Sequence, residues 1–190
     1  SIRRRQRQMC IRDSYSSFRN KKSKIESAYF LKFNKKRSIS LETSFSNQYD
    51  AGGKDALVDG LRGPNNYLTG RWQGFYGEDF ESIVDLGSKE PVTYLNIGAI
   101  QDVRSWIWLP KKVEFLGSND GKIFKSIGTL MHSVSDNSSE SIIKQFELKL
   151  KTPVEARYIK VRAENYGKCP EWHLGSGGTS WLFFDEITIL

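Results

Sequence analysis

Cysteine, histidine and methionine each occur only twice among 190 residues, and that scarcity removes whole classes of protein. Cys10 and Cys169 are too few for a disulfide framework or a four-thiolate zinc site. His132 and His173 lie far apart, outside any zinc-ligand spacing, and a Ser-His-Asp arrangement, a nucleophile elbow and a phosphate loop are equally missing. No apolar run approaches the ~18 residues of a membrane helix, so no membrane span is expected. Sustained helical periodicity is absent as well.

What is present suits one core. The chain is 38% hydrophobic and 13% aromatic, and its length fits one ordinary domain with a tail, not a two-domain enzyme. The net charge of +7 is unevenly spread: residues 1–40 hold 13 Lys and Arg against 2 acids, and residues 41–190 hold 16 against 20. A nucleic-acid surface needs positive charge displayed on a folded face, so no nucleic-acid partner is expected. Residues 1–14, SIRRRQRQMCIRDS, show no apolar period and no signal-peptide core. They are expected to be a disordered, non-native leader, with the native chain extending further upstream. The rival for Arg3-Arg4-Arg5 is a basic arm for nucleic acid or anionic lipid, but no aromatic residue lies among these charges to stack on bases.

After Ile39 the pattern is that of strands. β-branched and apolar runs recur at 83–86, 92–100, 113–116, 142–150, 158–161 and 182–190, separated by turn residues. Ser118-Asn119-Asp120-Gly121 predicts a tight turn. Alternation along 157–162 sends Tyr158, Lys160 and Arg162 to a wet face, and Ile159 and Val161, with Arg157, to the other. Pro91, Pro110 and Pro153 stand near strand starts, where a missing N–H is tolerated. Helix is limited to short pieces, one of them near 54–59. These features predict an all-β jelly-roll sandwich without internal repeats.

The ordered set Tyr49-Asp50-Ala51-Gly52-Gly53, Ala56-Leu57-Val58-Asp59-Gly60, Trp72-Gln73-Gly74-Phe75, Val84-Asp85-Leu86-Gly87, Pro110 to Phe115, Ser118 to Gly121, Ala156 to Val161 and Asp185-Glu186-Ile187 resembles a discoidin domain. This is the coagulation-factor type C family, with the galactose-binding-like fold of family-32 carbohydrate-binding modules. The resemblance runs from Leu41 to Leu190, placing the domain at 39–190. Trp72 to Phe75 and Pro170-Glu171-Trp172-His173 are most similar to the copies at the C-termini of Bacteroidetes-type family-20 β-N-acetylhexosaminidases. Residues 15–38 resemble the linker and closing strand of the Ig-like domain that precedes such copies.

That resemblance implies a non-catalytic carbohydrate-binding accessory module of a secreted, periplasmic or cell-surface bacterial glycoside hydrolase. Its partners would be glycans ending in galactose or N-acetylhexosamine and an upstream catalytic domain of the same polypeptide. It also implies a structural Ca2+ held by Asp59 and Glu186 with carbonyl oxygens around Ala56 and Leu61; the family's threonine five residues after the aspartate is replaced here by Pro64. Hexosaminidases use an Asp-Glu dyad, but Asp185 and Glu186, as strand neighbours, should point to opposite faces and could not flank one glycosidic bond.

For the sugar itself, an apolar C–H face lies on an aromatic plane while hydroxyls are read by charged or imidazole groups. Trp172 with Glu171 and His173 offers both within one loop, and Trp72, Tyr76 and Arg104 are further candidates. Trp108, between Ile107 and Leu109, is expected in the core, and His132 at the surface. The alternative is an adhesion or structural module that binds protein or lipid or buttresses a catalytic domain. Membrane-seeking loops would carry exposed Leu, Phe or Met spikes, whereas these carry Trp, His and Gly.

Overall fold

The computed structural model describes residues 21–23 and 37–190 in full and the backbone of 9–14, 17–18 and 26–31. The chain divides into two units, Ser1–Asn34 and Lys35–Leu190. In the first, β1 (Met9–Ser14), β2 (Ser17–Phe18), β3 (Lys21–Lys22) and β4 (Glu26–Leu31) form two antiparallel ladders, β1 with β4 and β2 with β3. Residues 9–14 are thus paired as a strand, while residues 1–8 of the expected leader lie outside the described residues. Met9 is opposite Leu31 and Ile11 opposite Tyr29, a match of two short apolar stretches that neither displays alone. The division falls after Asn34.

The second unit contains β5 (Ser38–Leu41), β6 (Gln73–Tyr76), β7 (Phe80–Gln101), β8 (Val113–Ser118), β9 (Lys125–Leu130), β10 (Ile142–Ala163) and β11 (Trp181–Ile189). They make one antiparallel sheet in the order β6-β11-β7-β10-β8-β9, with β5 also on β7. Strands β7 and β10 have 22 residues each. Straight, each would extend about 70 Å, which no single core could cover, so the sheet folds over. Gly87, at φ 81°, lies between the halves of β7, and the β7–β10 ladder slips between Lys149 and Val154 and again between Ala156 and Tyr158. One layer is then β5, Phe80 to Asp85, Tyr158 to Ala163, β8 and β9. The other is β6, β11, Tyr94 to Gln101 and Ile142 to Lys149.

The inward residues of both layers meet in one core. Phe75, Phe80 and Phe184 contact one another edge-on or tilted and join Val84, Leu95, Ile97, Phe115, Phe146, Ile159 and Val161. The expected jelly-roll sandwich is what forms. The slip before Tyr158 also corrects the position of Arg157, which turns outward and makes a two-pronged contact with Asp85 at 3.0 Å from both Nε and Nη2. Beside it Glu81 accepts from Lys160 and Arg162, so the wet face carries a charged ladder. The Ser118 to Gly121 turn is held by Asp120 Oδ1, which accepts from Lys122 N, Ile123 N and Ser118 Oγ. Those donors hold the Asp120 carboxyl down at about 2.

Removing residues 1–34 is therefore expected to leave the melting temperature of the sandwich within a degree or two of the full chain, by calorimetry. It should also abolish salt-sensitive retention on a polyanion column, because 10 of the 29 Lys and Arg residues lie there. Retention that survives the truncation would place the anion-binding charge on the domain.

Candidate functional site

Segment 47–72 carries most of the residues of the first motifs; Leu57 and Val58 reach the main core, while Tyr49, Tyr67 and Trp72 pack in a separate cluster with Phe183 of β11 and Ile100 of β7. Its 3-10 turns are Asn47–Tyr49, Ala56–Val58 and Tyr67–Thr69. Tyr49 and Tyr67 pack with Phe183, Ile100, Ile107 and Trp72 in a second apolar cluster. Trp72 is only 1% exposed and donates its indole N–H to Pro64 O at 2.9 Å. It is thus a core residue and not a sugar platform: loop 61–72 folds down over it, and a side chain on Gly63 would overlap its ring.

Arg62 fastens this segment to the sheet. Its Nη1 donates to Gln145 Oε1 (2.9 Å), Asp185 Oδ1 (3.0 Å) and Glu186 O (3.3 Å), and its Nη2 to Asn96 Oδ1 (3.2 Å) and Thr188 Oγ1 (2.7 Å). Asp185 Oδ2 accepts from Gly63 N at 3.0 Å. The β11–β7 ladder slips between Phe184 and Ile187, a bulge that re-aims side chains. Asp185 and Glu186 consequently both turn toward 60–63, and the expectation that they point to opposite faces is corrected. Both oxygens of Asp185 and one of Glu186 are bonded to this segment.

Glu186 is fully buried. Its Oε2 accepts from Gly60 N at 3.0 Å and its Oε1 has no partner. Burial, with some help from Asp59 and Asp185, pushes its carboxyl up to about 9. Asp59, at the surface, accepts from Leu61 N at 2.8 Å, and its carboxyl is also raised, chiefly by burial. Ala56 is buried in the 3-10 turn just before Asp59, and Leu61 is half-buried. Among the described residues no group of three or more His, Cys, Asp and Glu side chains gathers to hold a metal.

The other candidates collect where β7 ends and β11 begins. A 3-10 turn, Val103–Ser105, ends at Trp106 in the left-handed conformation, φ 64°. This is rare for a bulky residue and places strain at the loop end. The Trp106 indole lies over Gly175 and Gly178, where a side chain would overlap its ring. Trp106 O accepts from Trp181 N at 2.8 Å, tying the turn to the start of β11. Arg104 projects outward, its side chain 73% exposed with a long 3.9 Å contact to Asp102.

His173 supports this loop from within. Nδ1 accepts from Gly175 N at 3.0 Å, so the proton sits on Nε2 and points to Val103 O at 2.8 Å. The ring also meets Trp106, Trp108 and Trp172 edge-on. With both nitrogens taken, His173 reads no hydroxyl, contrary to the role expected for it. Trp108 is in the core as expected, stacked on Tyr166 and donating to Asp136 O. His132 is half-buried instead of exposed, because its Nδ1 accepts from Val134 N and its ring edges Phe146.

Trp172 remains 51% exposed, Leu174 fully exposed and Glu171 exposed. Tyr76, also 51% exposed, lies against Trp181 at 4.7 Å. Thus Trp172, Glu171, Arg104 and Tyr76 stay at the surface, while Trp72 does not. Leu174 is not among the residues that the sequence marks. A left-handed tryptophan has no sequence signal, although Gly175, Gly177 and Gly178 mark a loop where a ring could lie close to the backbone.

These features define a jelly-roll β-sandwich with an aromatic loop end. The F5/8 type C domain model matches residues 40–182, and the chain belongs to that family. Among solved structures it is similar to the first family-32 carbohydrate-binding module of a family 31 glycoside hydrolase from Clostridium perfringens (13% identity, 82% of this chain, 94% of that one, TM-score 0.50). It is likewise similar to chitosan-binding module 1 of a chitosanase/glucanase from Paenibacillus sp. IK-5 (11%, 81%, 94%, 0.50). A third neighbour is the family-32 module of AlyQ in complex with 4,5-unsaturated mannuronic acid (12%, 80%, 93%, 0.50). These three share its fold. No curated protein sequence matches the chain.

Trp72→Ala should lower stability by about 3–5 kcal/mol in urea unfolding. His173→Ala should cost about 1–3 kcal/mol, because it leaves Val103 O and Gly175 N without partners. A neutral Trp72→Ala would mean that segment 47–72 is not packed on the sheet.

Proposed function

We propose that the domain is a non-catalytic glycan-binding module whose 170–178 loop holds the C–H face of a sugar against Trp172. The observation that carries this is a half-exposed indole on an immobilised loop: His173 is bonded on both nitrogens beneath it, and the Trp172 N–H has no partner of its own among the described residues. A plane fixed before binding loses little entropy on capture. Glu171 and Arg104, the latter held only by its long 3.9 Å contact to Asp102, are exposed and would read hydroxyls. Two structural neighbours are, by their own descriptions, a chitosan-binding module and a module in complex with an unsaturated uronic acid, so sugar binding accords with this fold.

The finer reading is a terminal galactose or N-acetylhexosamine as ligand. The module would be the C-terminal accessory of a secreted bacterial glycoside hydrolase, a β-N-acetylhexosaminidase, whose catalytic domain lies upstream. A monosaccharide of about 12–15 heavy atoms, at ~0.3 kcal/mol each, gives about 4 kcal/mol and a Kd near millimolar. Such weakness suits a tethered module acting through avidity on a polymer or mucin surface. On a glycan array or in affinity electrophoresis, galactose- or N-acetylhexosamine-terminated glycans should be retained. Trp172→Ala should remove that retention and move the melting temperature by no more than a degree or two.

A second reading has one observation in its favour. Leu174 projects fully into solvent beside Trp172, the kind of spike that the sequence did not mark. Docking on lipid or protein would then be lost in Leu174→Ser. Vesicle binding without glycan retention would select this reading over the first.

We also propose a structural Ca2+ between Asp59 and Glu186, completed by carbonyl oxygens around Ala56 and Leu61. The unpartnered, buried Oε1 of Glu186 supports it, since a hard cation would satisfy that oxygen and keep both carboxylates ionised. The ion would hold the 56–61 turn to β11. EDTA should lower the melting temperature; free calcium at 100 times its Kd corresponds to about 2.7 kcal/mol. Asp59→Ala or Glu186→Gln should abolish the response, and an EDTA-insensitive melt of protein that elemental analysis shows to be metal-free would refute the site.

A further inference from the structure

A second aromatic plane stands at the same end of the sandwich. Tyr76 is as exposed as Trp172, and its ring is backed by Trp181 at 4.7 Å, which Tyr49 in turn supports edge-on at 5.4 Å. The Tyr76 hydroxyl has no partner among the described residues. Backbone bonds connect this turn to the 170–178 loop: Gly77 N donates to Ser180 O at 3.0 Å, Trp181 N to Trp106 O at 2.8 Å, and Cys169 N to Gly178 O at 2.8 Å. Gly77, at φ 76°, has Thr179 Cγ2 where its own side chain would be, so the two loops touch through Thr179. Lys168 is bridged to Thr179, its ammonium 3.1 Å from Thr179 Oγ1.

A monosaccharide covers one such plane. Resting on the glycan reading above, we infer that this end of the domain binds an oligosaccharide of at least two rings, one on Trp172 and another on Tyr76, with Lys168 and Thr179 facing the linkage between them. Two rigid planes with unused polar handles select a chain over its isolated terminal sugar, and each stacked ring adds its own increment.

Calorimetric titration with N-acetylglucosamine, galactose, chitotriose and N-acetyllactosamine tests this. For the sugar that binds, the oligosaccharide should bind about tenfold tighter than the monosaccharide. Tyr76→Ala should reduce the oligosaccharide to the monosaccharide's affinity, whereas Trp172→Ala should abolish binding of both. Tyr76→Leu keeps apolar cover on Trp181 without a plane and should behave like Tyr76→Ala, so instability of the alanine variant does not obscure the result. Equal affinity of monosaccharide and oligosaccharide for the unaltered protein, or an oligosaccharide advantage that survives in Tyr76→Leu, would overturn the two-plane site while leaving Trp172 as a single-sugar platform. Failure of all four sugars to bind would instead overturn the glycan reading on which it rests.

Discussion

The guanidinium of Arg62 is the constraint on which the upper half of the domain rests. Segment 47–72 contains no strand until β6 and cannot hold itself on a sheet by ladder bonds. Arg62 does so with five hydrogen bonds that reach β7, β10 and β11 at once. A lysine could not replace it, because a point charge lacks the planar fork needed to address several acceptors. Burial pushes the Asp185 carboxyl up while Arg62 pulls it down. An ion pair of this sort is expensive to desolvate, and its geometry has to be good to be tolerated. Gly98 is part of that geometry, because a side chain there would overlap Asp185 and crowd Arg62 and Gln145.

Once the segment is pinned, other features follow from it. Loop 61–72 closes over Trp72, and the amide of Gly60 meets Glu186. The bulge in β11 contributes as well: an extra residue at 185–186 turns two carboxylates toward one short stretch of chain, which strand alternation alone would forbid. At the loop end His173 plays the corresponding part. It spends both nitrogens on backbone groups of two different loops and thereby orders Trp106 and Trp172 around it. In both places a polar side chain that looks suited to ligand chemistry is consumed in positioning its neighbours.

How much of this was legible in the sequence depends on the range over which each signal acts. The strands of the sandwich follow from alternation and turn residues, and Ile159 and Val161 are buried as that pattern requires. The merging of runs into two 22-residue strands was not legible, because a bend at Gly87 resembles a loop in sequence. Trp72 and Trp172 both stand beside a charged residue, so local polarity cannot separate them. One lies under Gly63 and donates to Pro64; the other has nothing above it. The β1–β4 pairing was missed for a related reason, since register is a property of two segments and the basic residues around each obscure its short apolar stretch.

The strain at Trp106 gives the loop end its character. A left-handed tryptophan is tolerable only if its surroundings fix it, and here Gly175 and Gly178 admit the indole while Trp181 anchors its carbonyl. Glycines would ordinarily make this stretch loose, since they surrender the most backbone entropy on ordering. Here they instead let an aromatic ring come close enough to hold the loop down, so the freedom they bring is spent against a rigid plate. The exposed rings at this end therefore need not be ordered by a ligand. For a site of shallow contacts and few polar handles that matters more than contact area, because each side chain immobilised on binding would otherwise cost ~0.5–1.5 kcal/mol from an interaction of only a few kcal/mol in total.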